Sequence, residues 1–564
     1  MANKLLPISP PAGLFQNGTR YQAKGRWYQA NLVRFFSGTL QPVGGWQKLT
    51  LDGGTTMSAL TGLPRASIGW RLTDESPVMA FFTLSKLYCM LGGAITDITP
   101  SGFTAGVADS TAQTGNASGN FGDGNYGIGL YGSGPLTGTP IECDVSTVDV
   151  FGTYLVALST SDHILYVWDG NPSDVAVVAT ASIPTYAGGT TYNQGDQVVS
   201  SSIYYQSLVS SNTGNTPATS PTFWAVIPAP GDPPKGIAVF CTPERFVVVL
   251  GAEDRNPDGS LTGNLNGRLV AWASQETYTD WTPSALNTAG DFPITTQGRL
   301  VAGKPVRGYS LIWSDCDVWT MTATGDQFVY AFAKVGDKCG LVAPNAAVVV
   351  DGNAYWMGTE NFFSYNGFVQ TLPCDVRDKV FENFNGVQQR KVHGYSVSQF
   401  GEIWWFYPSA NSQECDSYVV YNYRENHWTT GTLSRLTGFD SGAIGTPVAL
   451  GLDKYAYAHE TGTLHPGAGP IFIESGPLEI GDGDRLMAVE RMLPDEKNLG
   501  DTQTYVYTAI NPTDTEQEFG PFSNLAPTGL RFKGRQIRLR YEQVNEVAWR
   551  IGTMRVAAHP SSGR

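Results

Sequence analysis

Charge is scarce in this chain. Asp, Glu, Lys and Arg make up 15% of its 564 residues, well under the quarter usual for soluble domains. That shortage implies surface covered by other subunits. Long apolar runs are also missing, and none approaches the roughly twenty residues of a membrane span. The start, MANKLLPISPP, carries an apolar stretch too short for a secretory signal and broken by prolines. The seven cysteines (Cys89, Cys143, Cys241, Cys316, Cys339, Cys374, Cys415) are scattered and odd in number, with no metal or redox spacing. They read as reduced, mostly buried thiols of a protein made in a cytosol.

Catalytic signatures are missing too. Six histidines show no paired ligand spacing; His459 and His465, with Glu460 between them, make at best a poor zinc site. Asp482-Gly483-Asp484 lacks the rest of a calcium loop and reads as an ordinary hairpin turn. There is no Gly-x-Ser-x-Gly elbow and no Ser-x-Asp-x-Gly-x-Thr-Trp box. The expectation is a protein with no cofactor, no metal and no enzymatic activity.

What is present is glycine (65 residues), aromatics (12%) and enough hydrophobic residues (41%) to fill sizeable cores. This composition is that of a turn-rich, all-β protein. The clearest stretch is Gly401 to Gly431, GEIWWFYPSANSQECDSYVVYNYRENHWTTG. It predicts a strand over Ile403 to Tyr407, a second over Ser417 to Tyr423, a turn at Arg424-Glu425-Asn426, and a return strand opened by Trp428. Here Trp404, Trp405, Tyr421 and Trp428 read as packing residues rather than a ligand platform.

The same grammar recurs at 77–100, 153–178, 236–281, 307–323 and 346–373, with Asp351-Gly352 and Asn366-Gly367 as hairpin turns. A last hairpin is expected in KYAYAHETGTLHPG at 454–467. Residues 101–140 read as one long Gly/Ser/Thr/Asn loop, and Cys374 to Asn385 as a helix. Repeated β units that cannot bury their faces alone point to a β-propeller-like ring of antiparallel blades, six to eight of them by length. The expected domains are a basic β arm at 1–51, propeller parts at 52–182 and 233–467, an inserted small β module at 183–232, and a C-terminal β-sandwich-like domain at 468–564. Within the last, Arg535, Arg538 and Arg540 are expected to share a face, with Trp549, Ile551 and Met554 in the core.

Net charge is −14 and uneven: residues 1–51 hold six Lys/Arg and no acid, and 530–564 are net +6, leaving −26 between them. In the arm, Arg20, Lys24, Arg26 and Arg34 interleave with aromatics. This is the alternation of strands with one wet face, and these four are the candidate docking residues. An acidic body does not bind duplex DNA by phosphate neutralisation.

The hairpin grammar resembles a kelch-like blade. The module, through Tyr186, Tyr192-x-x-Gly195-Asp196-x-Val198, Tyr205, Gly214-x-x-Pro217 and Trp224, resembles carbohydrate-binding modules of the chitin-binding type 3 group. That likeness implies a glycan-stacking surface, with Tyr186, Tyr192, Tyr205 and Trp224 as candidates and Trp224 mainly in the small core. Ser202 stands where that group has a turn glycine, and Ser200 where it often has an aromatic.

The segments NGTRYQAKGRWYQANLVRFFSGTLQPVGGW, EIWWFYPS, YVVYNYRENHW, YAYAHETG and WRIGTMRVAAHPSSGR together resemble tail-hub or nozzle proteins of short-tailed bacteriophages, also called packaged-DNA stabilisation or tail accessory proteins. The likeness covers most of the chain except 184–228. It implies a virion tail protein forming a ring, a hexamer, below portal and adaptor. Such a ring extends the DNA channel without sequence-specific binding, retains the genome and docks a needle or fibres. It implies synthesis in the bacterial cytoplasm. With no long apolar run, no membrane insertion is expected; the basic arms are expected to dock the subunit on neighbouring ring proteins, so that truncating residues 1–30 stops attachment to the adaptor and leaves the subunit folded. The alternatives are an adsorption protein binding host surface glycan and a propeller-type glycan hydrolase.

Overall fold

The computed structural model describes residues 4–111, 141–181, 183–227, 231–285, 287–480, 486–511, 514–525, 529 and 531–561. Most of the long loop at 101–140 and the Asp482-Gly483-Asp484 turn lie outside them.

The hairpin at 401–431 forms three strands, Glu402–Tyr407, Ser417–Asn422 and His427–Thr432, with His393–Val397 as a fourth. Every residue of the two central strands is buried. The aromatic run therefore has no wet face: both sides of the sheet are covered. Asn422 sets the turn, its side chain accepting from the amides of Arg424 (3.0 Å) and Glu425 (2.8 Å). Asn426 closes it at φ +55, a conformation Asn tolerates.

Among the described residues this sheet is one of seven four-stranded antiparallel sheets arranged as blades. Their innermost strands are Pro64–Arg71, Ser146–Phe151, Ala238–Cys241, Leu300–Pro305, Ala347–Val350, His393–Val397 and Thr437–Phe439. Each touches the next, and the seventh touches the first, so the ring closes. The protein is an all-β propeller with two attachments. Indole N–H groups bond backbone outside their own sheets: Trp405 Nε1 donates to Ala346 O (2.9 Å), Trp356 Nε1 to Cys339 O (2.8 Å) and Trp428 Nε1 to Pro373 O (2.8 Å).

The seventh blade differs from the sequence expectation. Ala456–His459 does not turn back on itself through 460–467. Its outer partner is Trp46–Lys48, paired through Tyr457–Lys48, Ala458–Gln47 and His459–Trp46. The ring is thus closed by a strand from the opposite end of the chain. The helix at Cys374 to Asn385 is real but short, Arg377–Glu382.

The opening segment does not stand apart as an arm. Lys4–Ile8 is an edge strand beside Met554–Pro560, and Trp27–Asn31 pairs with Phe472–Ser475. These belong to the two sheets of the C-terminal domain. The basic and aromatic alternation has one apolar face, with Trp27 and Phe35 at 4% and 3% exposure, and burying it fixes the segment between propeller and sandwich. Trp549, Ile551 and Met554 lie in that core. Arg538 and Arg540 share a face of Gln536–Gln543, whereas Arg535 precedes the strand and is not in phase with them. Residues 191–227 form the module, a three-stranded sheet and a two-stranded ribbon, between the second and third blades.

Candidate functional sites

The seven inner strands surround the propeller axis. Asn345, just before the inner strand of blade five, reaches across it. Its Nδ2 donates to Arg65 O of blade one (3.1 Å) and to Ser146 O at the start of blade two (3.0 Å). The axis is therefore crossed by a side chain and is not an open bore. A cavity of about 360 Å³ is lined by the inner-strand residues Asp149, Lys304, His393 and Ser396 and by Asp440, just past the inner strand of blade seven. Burial lowers the His393 imidazole to about 3, so this histidine is neutral at physiological pH. Burial raises the Asp149 carboxyl above its ordinary value.

A larger cavity, about 570 Å³, opens where the inner strands begin; Glu142, Asp144, His163, Arg299, Asp315 and Arg390 line it. Glu142 accepts from Arg299 Nη1 at 2.8 Å and Arg390 Nη1 at 2.7 Å. Partial burial works against its ionisation, but the two guanidiniums outweigh it and hold the carboxyl below the ordinary range. Glu142 is thus a clamped anion, unsuited to donate a proton. Asp144 accepts from Val107 N (2.7 Å) and Thr160 Oγ1 (2.8 Å), and His163 Nδ1 lies 2.9 Å from Gly236 O.

The candidate docking residues are paired within the chain. Arg20 meets Glu516 (2.9 Å), Lys24 meets Glu479 (2.5 Å) and Arg26 meets Asp375 (3.0 Å). Arg34 is sealed, with 2% of its side chain exposed, and faces both Glu402 (2.8 Å) and Glu460 (2.7 Å). Its charge fastens the opening segment to blade six and to the turn after blade seven, so it is not free to meet a partner. Burial, against the pull of Arg34, leaves Glu402 raised above the usual carboxylate range.

In the module, three of the four glycan-stacking candidates are core. Tyr192, Tyr205 and Trp224 are 7%, 5% and 2% exposed and pack together. Trp224 Nε1 donates to Asn215 O (2.8 Å). Tyr186 is half-buried and stacks on Tyr192, with centroids 5.7 Å apart. Tyr192, Tyr205 and Trp224 hold a small fold together and present no open ring face to a sugar, whereas Tyr186 keeps part of its ring exposed. The opposite face of the sheet carries Tyr204, half-buried, between Val199 and Ile227 in one cross-strand row. Sequence reading missed Tyr204, although alternation along Ile203–Ser207 places it opposite Tyr205.

His459 and His465 do not converge on a metal. His459 Nε2 accepts from Arg435 Nε (2.8 Å), and His465 Nε2 lies 2.7 Å from Val43 O. Both pack on Trp46, the first stacked and the second edge-on. Among the described residues no group of three or more His, Cys, Asp or Glu is placed to hold a metal ion. All seven cysteines are free thiols, and burial raises Cys89 to about 11 and Cys374 to about 12. No helix among the described residues is long and apolar enough to cross a membrane.

No protein-family model and no curated protein matches the chain. Among solved structures, it is similar to an exo-β-1,3-galactanase from Phanerochaete chrysosporium at 11% identity and TM-score 0.23, over 92% of this chain and 100% of that one. It is similar also to YCF48 from Cyanidioschyzon merolae at 10% identity and TM-score 0.26, over 75% of this chain and 100% of the other. Similarities this weak carry no functional argument, and the architecture here rests on the strand pairing.

Proposed function

We propose that this chain is a structural subunit of a short-tailed bacteriophage tail, forming the nozzle or hub ring below portal and adaptor. One observation carries the reading. The segments that resemble nozzle proteins are hundreds of residues apart, yet they meet in the fold. Trp46 pairs with His459, Leu32 N donates to Tyr418 Oη (2.8 Å), Leu40 N bonds Ile551 O (2.9 Å), and Arg34 grips Glu402. The resemblance thus follows one contiguous framework rather than scattered turns. Its residues are spent on closing a scaffold, as expected of a subunit that bears load. With the propeller axis crossed by Asn345, DNA passes in this reading through the lumen of the subunit ring. The −26 charge of residues 52–529 supports non-adhesive walls. The test is assembly of tails lacking this protein: particles that lose their genome and end at the adaptor are expected, and intact, DNA-retaining tails would overturn the reading.

A second reading, host-glycan adsorption, is favoured by the Val199–Tyr204–Ile227 row. It predicts glycan-array binding by the full chain that Tyr204→Ala abolishes while the module stays folded.

A further inference from the structure

The positive charge at the two ends of the chain meets two different fates. The cations of the opening segment at 20–34 are neutralised internally, as described above. On the outer face of the four-stranded sandwich sheet they are not. Arg491, Arg531, Lys533 and Arg555 are all exposed, and none enters an ion pair among the described residues. Pairing places Lys533 and His559 on either side of Ala488, and Arg555 beside Leu493. Four cations thus share one open face, with a groove of about 650 Å³ along it. The groove also holds Glu490, 3.8 Å from His559.

The propeller presents the opposite charge. The turn after the first strand of blade one carries Asp74 and Glu75, and the loop after the third strand of blade two carries Asp169 and Asp174, all exposed. The two turns adjoin where Gly170 backs onto Leu72. Next along the rim, Glu276 is paired with Arg245 at 2.8 Å and Glu244 is half-exposed. Arg71 is turned onto the carbonyl of Glu75 (2.6 Å). The rim is therefore acidic in excess of its cations.

We infer that the basic sandwich face docks on the acidic rim of blades one to three of a second copy, head to tail. This rests on the ring reading above and names its interface. Two different patches meeting head to tail generate a ring when the rotation closes. Complementary charge fixes partner and register. A nucleic acid is the less fitting occupant: the chain is net −14, and the same molecule supplies the complementary surface.

The experiment measures particle mass and images the full-length chain. The variants are Arg491→Glu with Lys533→Glu, Asp74→Arg with Asp169→Arg, and all four together, each checked for an unchanged thermal transition. Either double reversal is expected to lower the ring fraction about tenfold or more at fixed concentration, and the quadruple variant to restore it. Rings indifferent to every reversal would overturn this interface and leave the ring reading standing. Absence of rings in the unaltered chain would strike the ring reading itself. Rings intact in Arg491→Glu/Lys533→Glu, with salt-sensitive duplex binding lost, would reassign the basic face to nucleic acid.

Discussion

Arg34 and Glu402 form a two-pronged ion pair, Nε to Oε1 at 2.9 Å and Nη2 to Oε2 at 2.8 Å, in a site closed to water. The same guanidinium holds Glu460 from the far side, and lies 3.7 Å from the Phe400 ring centroid. Replacing Arg34 by Met leaves two carboxylates buried without a cation. The expected loss is about 3–5 kcal/mol, read from urea denaturation of the full chain. Adding Glu402→Gln should recover part of it, because one uncompensated charge is removed. If Arg34→Met alone unfolds at the unaltered midpoint, the clasp contributes nothing.

Deleting residues 1–31 is expected to unfold the sandwich rather than to free a subunit from its dock. Both of its sheets lose a strand, Lys4–Ile8 from one and Trp27–Asn31 from the other. Trp27 also leaves Tyr541, 6.0 Å away centroid to centroid. Hydrogen exchange should show loss of protection over 472–560, while the inner strands of blades one to four stay protected. Full protection throughout would restore the picture of a removable arm.

How legible all this was depended on range. The hairpin at 402–432 could be read locally, because Asn422, Asn426 and the aromatic alternation act within a few residues. The outer strand of blade seven could not: nothing near Ala456 to His459 says that Trp46–Lys48 will pair with it. The destination of Arg34 was hidden for the same reason, since Glu402 and Glu460 lie hundreds of residues away. In the module the aromatic types were legible, but which of Tyr204 and Tyr205 faces the core depended on strand phase.

Asp317 supplies a pH test. It is 1% exposed on its side chain and accepts from Thr296 Oγ1 (2.8 Å), Trp319 Nε1 (3.0 Å), Ser314 and Lys334. Burial alone would raise its pKa; these donors outweigh burial and hold it below 3.8. A carboxyl lowered in the folded state adds stability above its unfolded value. That contribution disappears as pH falls through the folded value. Asp317→Asn should therefore cost about 1.5–3 kcal/mol at neutral pH, and its stability should fall less steeply below pH about 4. Parallel acid limbs for the two proteins would exclude this role.

The module contains a turn that its sequence strains. Ser201 and Ser202 sit at φ +53 and +62 between Gln197–Ser200 and Ile203–Ser207. Two left-handed residues define the tight hairpin in which Asn or Gly is favoured. Ser202→Gly is expected to stabilise the module by about 1 kcal/mol, seen as slower exchange at Val198 and Tyr205. Faster exchange there would mean that the serine side chain contributes more than the strain removes.

A ring subunit must assemble with copies of itself or with its tail partners. The most direct test is mass measurement with negative-stain imaging of the purified full-length chain, alone and mixed with adaptor and needle proteins of a short-tailed phage. Closed rings with a central opening, loosened by salt and seated on the adaptor, are expected. A chain that stays monomeric at every concentration and with every partner would contradict the ring reading.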